Sequence, residues 1–231
     1  MLASLRRRAA SQLFGGSCYL CRGSAREILC ARCDADLPRL GADHCPRCAL
    51  ASPSGAVCGR CLAQPPAYDA TIAALAYRFP ADVLVQALKF RGELALAPFL
   101  GNLLSKCIAN KNVSYIVPVP LSPERLRSRG YNQALEIARH VASVTGARLA
   151  LDACQRSRDT SAQMELPLAE RARNVRGAFE CPRLVEGATV AVLDDVMTTG
   201  ATLHEVAAAL KRAGAARVVN WIVARTPPLH D

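Results

Sequence analysis

The sequence predicts an α/β protein with a parallel sheet, preceded by a small cysteine-rich unit. Two observations support this prediction. Four C-x-x-C pairs lie before residue 62, in a stretch with few large apolar side chains. After residue 69, short apolar runs alternate with stretches whose apolar residues recur at helical spacing. This alternation is typical of a parallel sheet that is covered by helices on both faces.

The front segment carries eight of the 11 cysteines of the chain. They are Cys18, Cys21, Cys30, Cys33, Cys45, Cys48, Cys58 and Cys61. A C-x-x-C knuckle presents two sulfurs to one metal ion, and two knuckles complete a tetrahedral four-thiolate site. The segment therefore predicts two structural Zn²⁺ sites with four cysteine ligands each. Sequential pairing of the knuckles is the simplest assignment, and an interleaved cross-brace is the alternative.

Disulfides and a redox dithiol are the rival interpretations of these cysteines. No secretory signal is visible in the sequence, and a redox C-x-x-C usually occurs singly, so zinc is favoured over both. Because residues 18–61 have little apolar surface to bury, metal must largely replace a hydrophobic core there. Cys107, Cys154 and Cys181 are isolated in the sequence, and we assign them no role.

Pro65-Pro66 interrupts any regular element and marks a boundary between two units. The predicted domains are a basic segment at 1–17, a double zinc ribbon at 18–66 and a second domain at 67–231. Strands are predicted at 70–79, 115–121, 189–195 and 216–225, and helices at 81–90, 91–111, 132–146 and 202–214. We expect Asn132 to cap the 132–146 helix and Gly146 to end it.

Composition narrows the classes of partner. The formal net charge is +10, and arginine supplies 25 of the 29 basic residues. Arginine forks pair with phosphate oxygens, so the bias suits a polyphosphate or nucleic-acid ligand, although a GC-rich genome produces the same bias. Five Tyr, five Phe and one Trp are too few to indicate a base-stacking surface. No apolar run is long enough to cross a membrane, so we expect a cytoplasmic protein without membrane insertion.

The stretch VAVLDDVMTTGATL, residues 190–203, combines two acids with a loop of phosphate size. An apolar strand ends at Asp194 and Asp195, and a loop then leads into a helix. This loop, here called the cradle, comprises Met197, Thr198, Thr199, Gly200, Ala201 and Thr202. Glycine, threonine hydroxyls and free N–H groups at a helix start suit a phosphate group, whereas the acids suit sugar hydroxyls or water-bound Mg²⁺. A ribose 5-phosphate has this layout.

Other nucleotide-binding patterns are missing from the sequence. It contains neither G-x-x-x-x-G-K-[ST] nor G-x-G-x-x-G, which disfavours an ATPase and a dinucleotide-binding fold. Arg125, Arg127 and Arg129 lie beside Gly130 and predict a cation-rich turn that can hold a diphosphate. A solvated basic loop is the alternative for this turn.

The 190–203 stretch resembles the phosphoribosyl-pyrophosphate (PRPP) motif of type I phosphoribosyltransferases. Three further segments narrow the resemblance: LKFRGE (88–93), VPVPLSPERLRSRGYNQ (117–133) and QRSRDTSAQMELPLAERARNVRGAF (155–179). Together with the leading cysteine pairs and in this order, they make residues 18–225 similar to the ComF family. The resemblance implies a Rossmann-like type I phosphoribosyltransferase core at 115–231 and a small hood at 67–114.

The resemblance also implies roles for individual residues. Asp194 and Asp195, the catalytic pair, would contact the ribose hydroxyls in ionised form, with Mg²⁺ accompanying PRPP, and the cradle would hold the 5-phosphate. Pyrophosphate contacts would come from Arg125, Arg127, Ser128, Arg129, Gly130, Tyr131, Asn132 and Gln133. A mobile loop closing over the site would supply Arg156, Arg158, Gln163, Arg173 and Asn174.

Three functional classes remain open. They are a PRPP-dependent phosphoribosyltransferase with an unknown acceptor, a non-catalytic PRPP sensor and a DNA-binding accessory protein. ComF members are linked with competence and DNA uptake, so the resemblance implies single-stranded DNA and DNA-uptake proteins as partners. Thr198 stands where hypoxanthine-type relatives place an aspartate near the base, which removes the one residue that would indicate a purine acceptor.

Overall fold

The computed structural model describes residues 16–108, 112–156, 176–182 and 185–227. Its strands are β1 (Gly16–Ser17), β2 (Ser24–Ala25), β3 (Ala70–Ala76), β4 (Tyr115–Pro118), β5 (Arg148–Leu149), β6 (Gln155–Arg156), β7 (Phe179–Glu180), β8 (Thr189–Met197) and β9 (Arg217–Arg225). Its α-helices are α1 (Ala31–Ala35), α2 (Gly59–Ala63), α3 (Ala81–Phe90), α4 (Leu96–Cys107), α5 (Pro123–Arg129), α6 (Gln133–Thr145) and α7 (Ala201–Arg212). Short 3-10 turns cover Pro53–Gly55 and Leu151–Ala153.

A five-stranded parallel sheet forms the centre of the molecule, in the order β3-β9-β8-β4-β5. The middle strands β8 and β9 pair over their whole length, from Thr189 with Arg217 to Met197 with Arg225. Every residue of β9 after Arg217 is buried. A strand covered on both faces has no solvent side, which explains why its sequence is nearly continuously apolar. The predicted parallel α/β sheet is thus confirmed.

Helices cover both faces of this sheet. Trp221 packs with Leu100 of α4 and Ile137 of α6 in one buried cluster. Its neighbour Ile222 lies in a second cluster with Leu210 of α7. Successive strand residues point to opposite faces, so β9 contributes alternately to the two cores.

The zinc-ribbon unit is hydrogen-bonded to the edge strand β3 of the sheet. The backbone N–H of Ala76 donates to the Pro38 carbonyl at 2.7 Å, and that of Leu40 donates to the Ala74 carbonyl at 3.1 Å. This short segment runs antiparallel to β3 and covers part of its free edge. Further along the chain, Thr71 N–H donates to the Pro46 carbonyl at 2.9 Å. Both ends of β3 are therefore tied to the cysteine-rich unit.

The predicted elements lie at or near their expected places, and β3 and β4 each end three residues earlier than predicted, at Ala76 and Pro118. Three further differences follow. The cation-rich turn around 125–130 is helix α5, which Ser122 caps through the Arg125 N–H and which Gly130 ends with φ of 80°. The predicted 91–111 helix begins only at Leu96. The third difference is in the cradle: β8 continues through Met197, and α7 already begins at Ala201. Only Thr198–Gly200 is therefore a loop.

The described helices include none with the length and apolar character needed to cross a membrane.

Candidate functional site

The eight cysteines of the C-x-x-C pairs form two separate groups. Cys18, Cys21, Cys30 and Cys33 make one, and Cys45, Cys48, Cys58 and Cys61 make the other, with all sulfurs of a group within 4.8 Å of one another. The knuckles are therefore paired sequentially, and the cross-brace alternative is wrong.

The spacing of the sulfurs fits zinc. Four sulfurs placed tetrahedrally about 2.3 Å from a central ion lie about 3.8 Å apart. Cys21 and Cys30 sulfurs are 3.8 Å apart, and those of Cys48 and Cys58 are 3.6 Å apart. These are two four-cysteine zinc-ribbon sites.

Asp194 and Asp195 lie within the last few paired residues of the central strand β8 rather than beyond its end. Asp194 pairs with Ile222, and β8 continues for two residues past Asp195. Successive side chains alternate, so Asp194 is partly exposed whereas Asp195 is buried. The carboxyl ends of parallel strands are where α/β proteins bind ligands, and both acids line a cleft there.

Lys89 at the end of α3 neutralises the buried acid. Its Nζ lies 3.1 Å from Asp195 Oδ2 and 3.4 Å from Oδ1. This ion pair lowers the pKa of Asp195 in spite of its burial. Burial and the neighbouring charge of Asp195 raise the pKa of Asp194 well above the ordinary aspartate value. Ionisation of Asp194 is therefore less favourable than that of an ordinary aspartate.

The cradle follows the acids and turns sharply at one glycine. Gly200 adopts φ of 83° at the N-terminus of α7. A Cβ at this position would lie 2.7 Å from the Met197 Cε and 3.0 Å from the Tyr68 hydroxyl. Glycine is thus required both by backbone conformation and by space. Met197 itself is buried and packs beneath the loop, so its side chain is structural.

Two arginines hold the carbonyl oxygens of the cradle. Arg225 Nη1 donates to the carbonyls of Met197, at 2.8 Å, and Thr198. Arg60, from the second ribbon, donates to the Thr199 carbonyl at 3.4 Å. In a trans peptide the N–H points opposite to the C=O. The peptide N–H groups that follow these carbonyls therefore point away from the two arginines.

Two basic residues of α5, Arg125 and Arg129, line the same cleft as the acids. Arg129 Nη1 donates to Gln133 Oε1 at 2.6 Å, and its guanidinium lies 5.4 Å from the centre of the Phe90 ring. Burial and the charge of Arg129 lower the pKa of Arg125. Two positive charges that lie close together in a partly buried wall repel each other, and a bound anion would reduce this repulsion.

The cleft has a volume of about 510 Å³ and brings together ten of the predicted site residues. Its walls include Arg125, Arg129, Gln133, Arg156, Asp194, Asp195, Thr198, Thr199, Ala201 and Thr202. The predicted residues Arg127, Ser128, Gly130, Tyr131 and Asn132, together with Met197 and Gly200, are not part of its lining. Arg158, Gln163, Arg173 and Asn174 lie outside the described residues.

Two of the residues that do not line the cleft support it instead. Asn132 Oδ1 accepts the N–H groups of Ala134 and Leu135, which confirms the predicted cap of α6. The hydroxyl of Tyr131 donates to the Leu88 carbonyl, one residue before Lys89. Tyr131 thereby fixes the end of α3 that carries the lysine.

Sequence reasoning missed the contribution of α3 and of the chain before it. Tyr77, Gln86, Lys89 and Phe90 also line the cleft. The LKFRGE segment was recognised as a family signature, but nothing in its spacing shows that Lys89 meets an acid 106 residues away.

The imidazole of His204 is hydrogen-bonded outside the cleft. Its Nδ1 accepts the Ala67 N–H at 3.1 Å, which joins α7 to the linker after the second ribbon. The contact is consistent with a helix-surface histidine rather than a ligand-binding one.

Comparison with known proteins gives the same two-part organisation. Residues 9–62 match the profile of the "Double zinc ribbon domain" family, and residues 130–227 match that of the "Phosphoribosyl transferase domain" family. The chain is 34% identical over 222 residues to "DNA utilization protein YhgH" of Salmonella typhimurium, covering 91% of this chain and 97% of that protein. It is 28% identical over 226 residues to "Competence protein F" of Haemophilus influenzae, covering 92% and 98%.

Full-length similarity to these relatives joins the zinc ribbon and the phosphoribosyltransferase domain in one chain, in the observed order. The protein therefore belongs to the ComF family.

Proposed function

We propose that the cleft binds PRPP with Mg²⁺ and that the protein is a PRPP-dependent phosphoribosyltransferase. One observation supports this most strongly: an acid pair, a helix-start phosphate cradle and a pair of arginines share one cleft of about 510 Å³. PRPP carries a 5-phosphate, a ribose diol and a diphosphate, and it therefore needs a site for each of these three groups close together. The volume is within the range of pockets that hold small ligands.

The 5-phosphate is assigned to the cradle. The first N–H groups of α7 lack helical partners, and the helix dipole favours an anion there. Thr198, Thr199 and Thr202 add hydroxyls around the same point. Arg225 and Arg60 support the assignment because they occupy the carbonyl side of the loop and so turn N–H groups the other way.

The ribose is assigned to the acid pair. Asp194 is the more exposed carboxyl and can accept a hydroxyl hydrogen bond, whereas Asp195 is held by Lys89. Mg²⁺, when bound with PRPP, would be held by the diphosphate oxygens and by carboxylate-bound water, and it would neutralise the departing charge.

The diphosphate is assigned to Arg125 and Arg129. Departure of pyrophosphate from the anomeric carbon leaves positive charge on the ribose, and an acceptor attacks from the opposite face. The protein contributes position and charge stabilisation rather than proton transfer in this assignment. The acceptor stays unassigned, because Thr198 offers no charge that would select a base.

Isothermal calorimetry with PRPP and Mg²⁺ tests the proposal. Wild type should bind, and Asp194→Asn with Asp195→Asn should weaken binding strongly, whereas Asp152→Asn, an exposed acid on the 151–153 turn, should not. Absence of binding by wild type would end the proposal. Release of pyrophosphate with bases, nucleosides or single-stranded DNA distinguishes an enzyme from a non-catalytic PRPP sensor.

A DNA-binding accessory role is the second candidate. The names of the relatives, "DNA utilization protein" and "Competence protein", favour it, as does the net charge of +10. Single-stranded DNA and DNA-uptake proteins would then be partners. Binding through several phosphates should weaken steeply between low and physiological salt, whereas PRPP binding in a single cleft should not.

We also propose a cytoplasmic location and a division of the chain into a ribbon at 18–66, a hood at 67–114 and a core at 115–231.

A further inference from the structure

Two cysteines that are isolated in the sequence come together in the fold. Cys154 immediately precedes β6 and Cys181 immediately follows β7, and these strands pair antiparallel with Gln155 opposite Glu180. The next opposed pair is therefore Cys154 and Cys181. Opposed residues of an antiparallel pair have Cα atoms about 4.5–5.5 Å apart, which suits a disulfide.

The two thiols have different surroundings. Cys154 is 3% exposed, whereas Cys181 is partly exposed and lines a cavity of about 580 Å³ that also contains Arg212. The neighbouring Cys154 thiol and the charge of Arg212 lower the pKa of Cys181. The neighbouring Cys181 thiol and burial raise the pKa of Cys154. An accessible thiol of lowered pKa with a second thiol behind it is the arrangement of reactive cysteine pairs.

We propose that Cys154 and Cys181 are a reversible dithiol–disulfide site at which a peroxide oxidises the protein. The Cys181 thiolate attacks one peroxide oxygen, the O–O bond breaks, and Cys181 sulfenic acid forms with release of hydroxide. The Cys154 sulfur then attacks the Cys181 sulfur, the S–S bond forms and the S–O bond breaks. The hydroxyl leaves as water with the Cys154 proton. The sulfurs lose two electrons together, and the peroxide is reduced to water. A small thiol restores both cysteines by exchange.

Oxidation would fix one wall of the candidate PRPP cleft. Arg156, two residues after Cys154, belongs to the cleft lining, and its guanidinium lies 5.7 Å from the centre of the Phe179 ring on the paired strand. A covalent link beside this pair holds the two strands in register. This consequence rests on the proposed function, whereas the disulfide itself does not.

Peptide mapping of the full zinc-loaded chain tests the proposal. Protein treated with increasing hydrogen peroxide is blocked with N-ethylmaleimide and digested with trypsin without reductant. The expected product is peptide 149–156 joined to peptide 177–183, reversible by glutathione. Cys181 should react about tenfold faster than the exposed Cys107, before any zinc release seen with a chromogenic chelator.

Variants separate the two sulfurs. Cys154→Ser should stop the reaction at a Cys181 sulfenic acid that dimedone captures, and Cys181→Ser should abolish both products. Cys107→Ser should leave the linked peptide unchanged. Cys181 that reacts no faster than Cys107, or a linked peptide that appears only after zinc is released, would overturn the proposal. PRPP calorimetry on the oxidised protein is read separately, so that failure of PRPP binding leaves the disulfide result intact.

Discussion

Arg225 joins the second four-cysteine site to the cradle: its Nε donates to the carbonyl oxygen of Cys48 at 2.8 Å. The Nη1 of the same guanidinium donates to the carbonyls of Met197 and Thr198. The side chain is buried and lies at the end of β9, next to the end of β8. One planar fork thus sets the position of a metal-binding turn relative to the candidate phosphate site.

Replacement of Arg225 should be costly. Arg225→Met leaves four buried or part-buried carbonyl groups without this donor, and each of them costs free energy when unsatisfied. We expect a loss of about 2–4 kcal/mol in the free energy of unfolding, measured by urea denaturation followed through the buried Trp221. Arg217→Met, at the exposed start of the same strand, should change stability by less than about 0.5 kcal/mol. Equal effects of the two variants would contradict the bridging role.

Removal of zinc should unfold the ribbons and loosen the cradle. The four-cysteine groups predict two Zn²⁺ released per chain on chelation. Because Cys48 and Arg60 contact the elements that hold the cradle, hydrogen exchange should increase at residues 198–203 as well as at 18–61. Strand β4, which pairs with β8 and β5, serves as the internal control and should keep its protection. Ribbon amides that stay protected after metal loss would contradict the structural role of zinc.

Replacement of Lys89 should lower the free energy of unfolding, because the buried carboxylate of Asp195 then has no cation beside it. Lys89→Met leaves Asp195 without its cation, and we expect a loss of about 1–3 kcal/mol at pH 7, reduced from a fully buried pair because Lys89 is 27% exposed. The folded-state pKa of Asp195 is lowered, so the stability it contributes is present above pH 3.8 and is lost as the pH falls below that value. The difference between wild type and variant should therefore shrink in acid. Lys106→Met, an exposed lysine on α4, is the control and should show no such pH dependence.

Asp194→Asn should stabilise the protein while it damages the proposed site. The folded-state pKa of Asp194 is raised by burial and by Asp195, so ionisation of Asp194 destabilises the fold as the pH rises above 3.8. We expect the variant to be more stable than wild type by on the order of 1 kcal/mol at pH 7 and equal to it near pH 3. Thermal melts across this range measure the difference. A variant that is less stable at pH 7 would show that burial and the charge of Asp195 do not make ionised Asp194 unfavourable.

Gly200→Ala should be worse than an ordinary substitution at positive φ. Gly146 has φ of 74° and nothing within 4 Å of an added Cβ, whereas at Gly200 the Met197 Cε and Tyr68 hydroxyl block the space. Gly146→Ala should cost about 1–2 kcal/mol for backbone conformation alone. Gly200→Ala should cost at least about 1 kcal/mol more, because it adds overpacking. Denaturant unfolding of both variants decides this, and equal losses would contradict the close packing of Tyr68 against the cradle.

Elements with strong periodicity were predictable from the sequence. Helix α3 lies at the predicted 81–90, and α6 has its predicted Asn132 cap and Gly146 end. The turn expected at 125–130 is a helix instead, because Ser122 and Pro123 provide a helix start that outweighs the impression of a basic loop. The short strands β6 and β7 were not predicted, since two-residue strands carry no period.

The acid pair and the cradle were recognisable because their residues are adjacent in the chain. The ion-pair and bridging partners of the site were not, because each acts over a long separation in the chain. Lys89 meets Asp195, and Arg225 meets Cys48, only after the sheet brings α3, β8, β9 and the second ribbon together.

The sequence by itself determined the parallel sheet, the zinc ligands and the family, because these depend on local spacing and on residues close in the chain. Tertiary structure alone decided which knuckles share a metal ion, which acid is neutralised and which cysteines become a pair. The physical reason is that hydrogen bonds and ion pairs act over a few ångströms, and chain order places no limit on which side chains come that close. Cys154 and Cys181 show this most simply: two isolated thiols in the sequence are direct neighbours in the fold.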